Sequence, residues 1–220
     1  MNKYAMHILL DLDGTLTDPK EGITKSIVFA LRTLDVAVPN EHRLVACIGP
    51  PLSESFEQLL PEPTTERVEK AIAHYRTQFT RQGIFENTLY PGIPEALAKL
   101  ISQGAILHLA TSKPQVYAQQ ILEHFELVKY FSSVNGSELD GRRANKAELI
   151  AYILEQQAIK PDRAIMIGDR SHDIVGAIAN NIKTVGVLWG YGSRSELVQT
   201  KAEQLLEAPN NLPDIMSAAS

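Results

Sequence analysis

The sequence has little cysteine, no long apolar run and no excess of positive charge, and each shortage excludes a class of protein. Cys47 is the single cysteine in 220 residues, so no internal disulfide can form, and no Cys/His cluster has the spacing of a zinc site. Lys and Arg number 21 against 26 Asp and Glu, a net charge of −5, which gives no support to a nucleic-acid or anionic-membrane partner. The apolar stretch after Met1–His7 is too short for a signal peptide, and no stretch reaches the roughly 18 residues of a membrane span. We therefore expect a protein of the reducing cytoplasm.

The remaining composition is that of an ordinary globular protein. Hydrophobic residues make up 44% and charged residues 21% of the chain, close to the averages for soluble domains. A chain of this length has about one and a half times the size of a typical domain. The sequence therefore predicts a sizeable core with room for a second, smaller domain.

Short apolar runs alternate with helix-length segments over most of the chain. Such runs, bounded by turn residues, are typical of buried strands in a parallel sheet, and the segments between them are typical of crossover helices. The predicted strands are Ile8–Leu10, Ala105–Ala110, Ala164–Ile167 and Thr184–Leu188. The predicted helices are Ile93–Ser102, Pro114–His124, Lys146–Gln156 and His172–Asn180. The pattern predicts an α/β fold with a doubly wound, Rossmann-like parallel sheet.

Residues 18–87 break this alternation. Apolar residues in the segments 23–34 and 68–79 recur at helical spacing, and prolines at positions 50, 51, 61 and 63 divide the stretch into short helices. The sequence therefore predicts a small helical cap domain over residues 18–87. It would be inserted after the first strand of a catalytic core formed by residues 1–17 and 88–220.

Two aspartates follow the first predicted strand, in the sequence DLDGT. Asp11 and Asp13 are two residues apart, so on an extended segment their side chains point to the same side. Placing two like charges together is costly unless a cation lies between them, and oxygen ligands suit Mg²⁺. The alternative is a pair of carboxylates that only caps a loop.

Three further segments place polar groups at predicted strand or helix ends. Thr111 and Ser112 end the second strand and could hold an anion, although such a pair is more often a helix cap. Lys146 opens a helix, where the macrodipole favours anions, so its charge indicates a phosphate nearby; the alternative is a solvated lysine. Asp169 follows the third strand and is placed to complete a metal site, whereas Asp173 could bind the metal directly, bind through water or cap the helix.

In this order, the four segments resemble the motif set of the haloacid dehalogenase superfamily of phosphohydrolases. The likeness extends over the whole chain, including the helical insertion after the first motif. An Asp-x-Asp-Gly-Thr sequence after a strand is specific, and the ordered set of four segments is more so. The resemblance implies a phosphatase that forms a covalent aspartyl phosphate.

The resemblance also implies a role for each residue in the reaction. Asp11 would be the nucleophile, and Asp13 would protonate the leaving alcohol and later deprotonate the attacking water. Lys146 would stabilise the nucleophile and the transferring phosphoryl group, which Thr111 binds. The further substrate contacts are assigned to Ser112, Gly14 and Thr15.

The same resemblance implies Mg²⁺ as the cofactor. Its ligands would be Asp11, Asp169 and the backbone carbonyl of Asp13, with Asp173 in support. The six histidines show no metal-ligand spacing, and the segment Trp189–Gly192 is interpreted as a packed loop rather than as part of the mouth of the site.

Two other functions compete with a phosphatase. A phosphosugar mutase would keep the same core and differ in the cap. A phospho-acceptor signalling domain also uses acidic, hydroxyl and lysine residues at strand ends, but it has neither the helical insertion nor a second aspartate two positions after the first. Hydrolysis is the commoner outcome in the superfamily and is the function that we expect.

The expected substrate is a small phosphorylated metabolite bound by a monomer or a homodimer, without nucleic acid or membrane. The whole chain is most similar to phosphoglycolate phosphatases and to bacterial 5′-nucleotidase-like phosphatases, and the segment Asp18–Ile23 favours the second group. Because the core contacts only phosphate, we expect selectivity to come from the cap, near Ile48–Leu52.

Overall fold

The computed structural model describes residues 5–218 of the chain. These residues form two compact units, one made of the chain up to Asp18 and from Leu89 onward, the other of Pro19–Thr88. Met1–Tyr4, which open the polar N-terminal stretch noted in the sequence, lie outside the described residues. Within residues 5–218, no helix combines the length and the apolar character needed to cross a membrane.

The first unit is built on a six-stranded parallel sheet. The strands of the chain are β1 His7–Leu10, β2 Thr17–Asp18, β3 Thr88–Leu89, β4 Ile106–Pro114, β5 Phe131–Ser137, β6 Ala164–Gly168, β7 Lys183–Val187 and β8 Gln204–Leu206. The large sheet has the order β5-β4-β1-β6-β7-β8, with every pair parallel, whereas β2 and β3 form a separate two-stranded sheet. Because the chain moves outward from β1 to β5 and then returns to β6, the order reverses at β1.

Helices connect the strands of the large sheet and make up the second unit. The helices are α1 Lys20–Thr33, α2 Glu41–Val45, α3 Leu52–Leu59, α4 Thr65–Arg81, α5 Ile93–Ser102, α6 Gln115–His124, α7 Lys146–Gln156, α8 Ser171–Ala179, α9 Arg194–Gln199 and α10 Ile215–Ala218. Helices α5 and α7 have the predicted bounds, and α6 and α8 begin one residue later and one residue earlier than predicted.

Apolar residues cover both faces of the sheet, as a doubly wound fold requires. Leu9 and Met166 lie on one face, in a buried cluster with Leu149 and Ile153 of α7 and with Ala177 of α8. The alternate positions in the same strands, listed by strand as Ile8, Leu10, Leu107, Leu109, Ile165 and Ile167, are buried as well. The predicted α/β, doubly wound parallel fold is confirmed.

Two strands of the large sheet were not predicted from the sequence. Strand β5 reads FSSVNGS and β8 has three residues, and each is the outermost strand on its side of the sheet. An edge strand is covered less completely than a central one, so it does not need a continuous apolar run. The pattern of apolar runs therefore identifies the four central strands and misses both edges.

The second unit is built from the four helices α1 to α4, which short loops connect between Lys20 and Arg81. Helix α1 packs along α4, and its buried stripe includes Ile23, Ile27 and Leu31 at the predicted spacing. In α4, the rings of Tyr75 and Phe79 stack with centroids 5.3 Å apart. Buried aromatic contacts of this kind give a small helical unit a core of its own.

Candidate active site

The predicted site residues meet at one edge of the large sheet. Asp11 directly follows β1, Asp169 directly follows β6, and Thr111 lies near the end of β4. Because β4, β1 and β6 are neighbours and run parallel, these residues emerge side by side at the carboxyl ends of the strands. This edge, where the strand order reverses, is the position at which open α/β sheets bind ligands.

Three buried carboxylates converge at this edge. Asp11, Asp169 and Asp173 each offer one oxygen, and these oxygens all lie within 4.8 Å of one another. Oδ2 of Asp169 accepts a hydrogen bond of 2.7 Å from the N–H of Tyr191. Oδ2 of Asp173 accepts a bond of 3.1 Å from the N–H of Arg170, so Asp173 also caps α8. The sequence left these two roles of Asp173 as alternatives, and the structure combines capping with membership of the cluster.

The electrostatics of the cluster favour a bound cation. Burial, followed by repulsion from Asp173 and Asp11, raises the pKa of Asp169 well above its ordinary value. Burial also raises the pKa of Asp173 to about 6, against the opposing charge of Lys146. Oδ1 of Asp169 has no hydrogen-bond partner among residues 5–218. Buried oxygen donors with uncompensated negative charge are the set that a hard divalent cation prefers, so these residues fit such an ion.

Lys146 is the cation nearest to two of these carboxylates. Its Nζ lies 2.9 Å from Oδ1 of Asp11 and 2.7 Å from Oδ1 of Asp173, and it donates a further bond of 2.8 Å to the carbonyl of Ala110. Burial by itself would lower the pKa of Lys146, but the charges of Asp11 and Asp173 outweigh it and raise the pKa. Lys146 is therefore a fully charged ammonium in contact with the carboxylate predicted to be the nucleophile.

Asp13 has a different cationic partner. Oδ2 of Asp13 lies 2.7 Å from Nζ of Lys113, and both side chains are largely buried. Oδ1 of Asp13 has no hydrogen-bond partner within the described part of the chain. Burial raises the pKa of Asp13, and the charge of Lys113 opposes that effect. A carboxyl group with a raised pKa and one unpaired oxygen is suited to carry a proton.

The residues predicted to bind substrate through hydroxyl groups differ in their hydrogen bonding. Oγ1 of Thr111 accepts a bond of 3.3 Å from the N–H of Lys113, which leaves its proton available for another acceptor. Thr15 is fully buried, and its hydroxyl has no partner among the residues described. The carbonyl of Ser112 accepts a bond of 2.8 Å from Ser137, which ties the end of β4 to β5.

Gly14 is required by close packing as well as by its conformation. Its φ is +84°, in the left-handed region that favours glycine, and a Cβ atom there would lie 2.2 Å from Oδ2 of Asp169. The turn after Asp13 therefore packs directly against the carboxylate of Asp169. Any larger residue at this position would push Asp169 out of the cluster.

Two residues at the site were given no role from the sequence. Lys113 follows Thr111 and Ser112 directly, and its place at a strand end was the available signal that it would reach the same edge. Tyr191 belongs to the segment Trp189–Gly192, which was interpreted as a packed loop. That segment follows β7, which lies beside β6 in the sheet, so its proximity to Asp169 depends on strand order, which the sequence does not state.

Comparisons with known proteins find relatives that match most of this chain. A 5′-nucleotidase of Pseudomonas aeruginosa PAO1 is 46% identical over 191 residues, which cover 87% of this chain and 86% of the relative. A tyrosine-protein kinase, PtkA of Mycobacterium tuberculosis H37Rv, is 37% identical over 201 residues, covering 91% of this chain and 68% of the relative. Relatives of this similarity extend over both compact units.

A crystal structure described as a predicted phosphatase from Clostridium acetobutylicum superimposes with a TM-score of 0.93 at 42% identity, covering 98% of this chain and 100% of that one. The haloacid dehalogenase-like hydrolase family matches residues 8–187, which include the four carboxylates, Thr111 and Lys146. The resemblance inferred from the sequence is confirmed. The chain therefore belongs to the haloacid dehalogenase-like hydrolase family.

Proposed function

We propose that this hydrolase is a Mg²⁺-dependent phosphatase that cleaves small phosphate monoesters through an aspartyl phosphate on Asp11. The observation that carries the proposal is the convergence of three buried carboxylates, one of them Asp11, beside Lys146. Asp13, two residues after Asp11, adds a carboxyl group whose pKa is raised. In a hydrolase of this family, such an arrangement separates a nucleophile from an acid. The nucleotidase and kinase names of the relatives both denote phosphoryl transfer, which supports the same chemistry.

Asp11 is the residue we assign to attack on phosphorus. Its backbone N–H donates a bond of 3.0 Å to the carbonyl of Ile167, which fixes the residue at the end of β1. Lys146 holds Oδ1, so we assign the attack to Oδ2. Attack on phosphorus breaks the bond to the ester oxygen and leaves the phosphoryl group on Asp11, which divides one difficult hydrolysis into two easier steps.

Asp13 is the residue we assign to proton transfer. The leaving alkoxide takes the proton of Asp13, and the resulting carboxylate then removes a proton from the water that cleaves the aspartyl phosphate. The ion pair with Lys113 stabilises the carboxylate form between the two steps. The hydroxyl groups of Thr111 and Thr15 are available to donate hydrogen bonds to the phosphoryl oxygens.

The metal site is assigned to Asp11, Asp169 and the backbone carbonyl of Asp13, with Asp173 holding the other groups in place. Mg²⁺ bound there would neutralise part of the negative charge that accumulates during phosphoryl transfer. Lys146, which contacts both Asp11 and Asp173, contributes a second positive charge. Its contact with Asp173 also keeps that carboxylate ionised and in position.

For the substrate, we propose a nucleoside 5′-monophosphate, with phosphoglycolate as the second candidate. The nucleotidase relative at 46% identity supports the first class, and the overall resemblance of the sequence supports both. We propose that the inserted unit carries the selectivity, that the enzyme acts in the cytoplasm and that it is a monomer or a homodimer. A phosphosugar mutase remains the alternative reaction, and it would move phosphate within the substrate without releasing it.

The test is release of inorganic phosphate from adenosine 5′-monophosphate, phosphoglycolate, a hexose phosphate and p-nitrophenyl phosphate. We expect turnover with Mg²⁺, none in excess chelator and full recovery when Mg²⁺ is restored. Asp11→Asn should lose at least about a thousandfold in kcat, with an unchanged circular dichroism spectrum. Asp162→Asn, an exposed aspartate of the same unit, is the matched control and should retain full activity.

Three results would contradict the proposal. Activity that persists in chelator would contradict the requirement for a metal, and an active Asp11→Asn variant would contradict the assignment of Asp11 as the nucleophile. Conversion of the hexose phosphate to an isomer without release of phosphate would identify the mutase. Mg²⁺ binding measured by calorimetry separates failure of the metal site from failure to choose a substrate.

A further inference from the structure

The segment Trp189–Gly192 makes hydrogen bonds to three residues at or near the candidate site. The indole Nε1 of Trp189 donates a bond of 3.0 Å to the carbonyl of Thr15. The N–H of Tyr191 donates to Oδ2 of Asp169 at 2.7 Å, and the hydroxyl of Tyr191 donates to Oδ1 of Asp18. One short segment after β7 is therefore bonded to the loop after β1 and to the residue after β6.

The two glycines of this segment allow that approach. A Cβ atom at Gly190 would lie 2.4 Å from the carbonyl oxygen of Gly14 and 2.4 Å from Cβ of Asp169. A Cβ atom at Gly192 would lie 1.8 Å from the carbonyl oxygen of Asp169. The backbone of the segment thus packs against the backbone of both carboxylate-bearing loops, and side chains at these two positions would separate them.

Asp18 ends a tightly bonded loop that carries Asp13. The carbonyl of Leu12 accepts hydrogen bonds from Thr15, Leu16 and Thr17, and the N–H of Gly14 donates to the carbonyl of Thr17 at 2.8 Å. This loop, residues 12–18, follows β1 directly. Its far end is held by the pairing of β2 with β3, by a bond of 3.2 Å from the N–H of Tyr90 to the carbonyl of Leu16, and by the hydroxyl of Tyr191 through Asp18.

The contact between Tyr191 and Asp18 joins a hydroxyl donor to a carboxylate acceptor. A charged acceptor makes this hydrogen bond stronger than a neutral one.

We propose that Tyr191 is a positioning residue, whose hydroxyl, bonded to Asp18, holds the loop 12–18 so that Asp13 is aligned to protonate the leaving group. The proposal rests on the function proposed above for Asp13. Tyr191 makes two separate contributions. Its backbone N–H bonds to Asp169 and does not depend on the side chain, whereas its hydroxyl bonds to Asp18.

The test is Tyr191→Phe, which deletes the hydroxyl and keeps both the ring and the N–H. We expect kcat/KM for adenosine 5′-monophosphate to fall about tenfold, because a displaced acid cannot protonate the poor alkoxide leaving group. For p-nitrophenyl phosphate, whose phenolate leaves without a proton, the loss should be less than about twofold. Asp18→Ala should give the same pattern, and the double variant should be no worse than Asp18→Ala. The affinity for Mg²⁺ in calorimetry should be unchanged in Tyr191→Phe.

Tyr130→Phe is the matched control, since it deletes a phenol hydroxyl of the same unit at a half-buried position. It should change neither rate. Equal losses for the two esters in Tyr191→Phe, or no loss at all, would overturn the proposal. Losses that add to those of Asp18→Ala in the double variant would overturn it as well.

Hydrogen exchange tests the same bond without catalysis. The amides of Gly14 and Thr17 should exchange about tenfold faster in Tyr191→Phe and in Asp18→Ala than in the wild type, and at the wild-type rate in Tyr130→Phe. A wild type that hydrolyses neither ester, with this exchange pattern intact, would overturn the proposed function and leave the positioning contact in place. Unchanged exchange in Tyr191→Phe would overturn the contact itself.

Discussion

At the scale of single residues, the four aspartates of the candidate site differ in their partners. Asp11 and Asp173 share Lys146, and Asp13 pairs with Lys113. Asp169 accepts a backbone N–H, and its pKa is raised well above the ordinary value. In our proposal, these different partners distinguish the nucleophile from the acid and from the metal ligands.

Asp13→Asn tests the assignment of the general acid. We expect a loss of about a hundredfold or more in kcat for adenosine 5′-monophosphate and a much smaller loss for p-nitrophenyl phosphate, because only the alkoxide needs a proton to leave. The aspartyl phosphate should also accumulate, since no base activates water, and intact mass spectrometry after acid quenching would detect it. Equal losses on both esters without a trapped phosphoenzyme would show that Asp13 serves only to position the metal.

Lys146→Met tests the charge balance of the cluster. Without the ammonium, Asp11 and Asp173 are buried side by side with no cationic partner at their present contacts. In chelator, we expect the free energy of unfolding to fall by about 3 kcal/mol. Because Mg²⁺ then becomes the main counter-charge, it should raise the Tm of Lys146→Met more than that of the wild type.

Lys99→Met, an exposed lysine on α5, is the matched control for that measurement. Its Tm should respond to Mg²⁺ as the wild type does. An equal response of Lys146→Met and the wild type to Mg²⁺ would mean that Lys146 does not share its carboxylates with the metal.

At the scale of elements, contacts at the first turn of α7 explain how Lys146 is tolerated at a helix start, where the helix dipole disfavours a positive charge. Oδ1 of Asn145 accepts hydrogen bonds from the N–H groups of Ala147 and Glu148 and so caps the helix. The ammonium of Lys146 lies against two carboxylates and one carbonyl. The attraction of these buried acceptors outweighs an unfavourable dipole of about 1 kcal/mol.

A second polar element crosses three strands of the sheet. Nδ1 of His7 lies 2.9 Å from Nε2 of His108, and Nδ1 of His108 lies 2.8 Å from the hydroxyl of Ser133. His108 is 1% exposed, and burial, followed by the charge of His7, lowers its pKa to about 4. No local pattern in the sequence indicates this pairing, because it depends on β1 lying next to β4.

This pairing predicts a dependence of stability on pH. The pKa of His108 is lower in the folded chain than the ordinary value near 6.5, so the unfolded chain binds more protons between about pH 6.5 and pH 4. The contribution of His108 to the free energy of unfolding should therefore be largest above pH 6.5 and fall by about 2 to 3 kcal/mol as the pH drops to 4. Urea titrations across this range measure it.

His108→Gln removes this titration and keeps a polar side chain. We expect its stability to fall less steeply with decreasing pH than that of the wild type. His42→Gln, at an exposed position of α2, is the control and should follow the wild-type curve. Parallel curves for His108→Gln and the wild type would assign the acid sensitivity to other groups.

At the scale of the whole molecule, the chain forms two units. In our proposal, one unit carries the chemistry and the other carries the substrate selectivity. The unit from Pro19 to Thr88 has its own helical core, and the candidate chemistry lies in the other unit. Contacts to phosphate are common to all substrates, so selectivity requires contacts to the leaving group. We propose that the inserted unit provides them.

Leu52→Ala tests this division. Leu52 begins α3 after Pro51 and is half-buried. We expect kcat/KM to change by different factors for adenosine 5′-monophosphate and phosphoglycolate, and to change least for p-nitrophenyl phosphate. Leu59→Ala, at the other end of the same helix and also half-buried, should lower all three rates alike or leave them unchanged. A single common factor for Leu52→Ala would make this segment structural.

Much of the architecture could be predicted from the sequence because its signals are local. A buried central strand needs a continuous apolar run, so four strands were found and the more polar β5 was not. A helix needs a periodic apolar stripe and end signals, so the bounds of α5 and α7 were correct. The order DLDGT, Thr111, Lys146 and Asp169 was enough to indicate the family, which the comparisons confirm.

The partners of each site residue were decided only by the tertiary structure. Lys146 meets Asp11 across 135 positions of sequence, and Lys113 meets Asp13, because parallel strands bring their carboxyl ends to one edge in an order that no single segment encodes. The sequence determined which elements form and which carboxylates stand at their ends. The order β4-β1-β6-β7 placed Tyr191 on Asp169 and Asp18, since contacts between distant segments depend on how the whole sheet assembles.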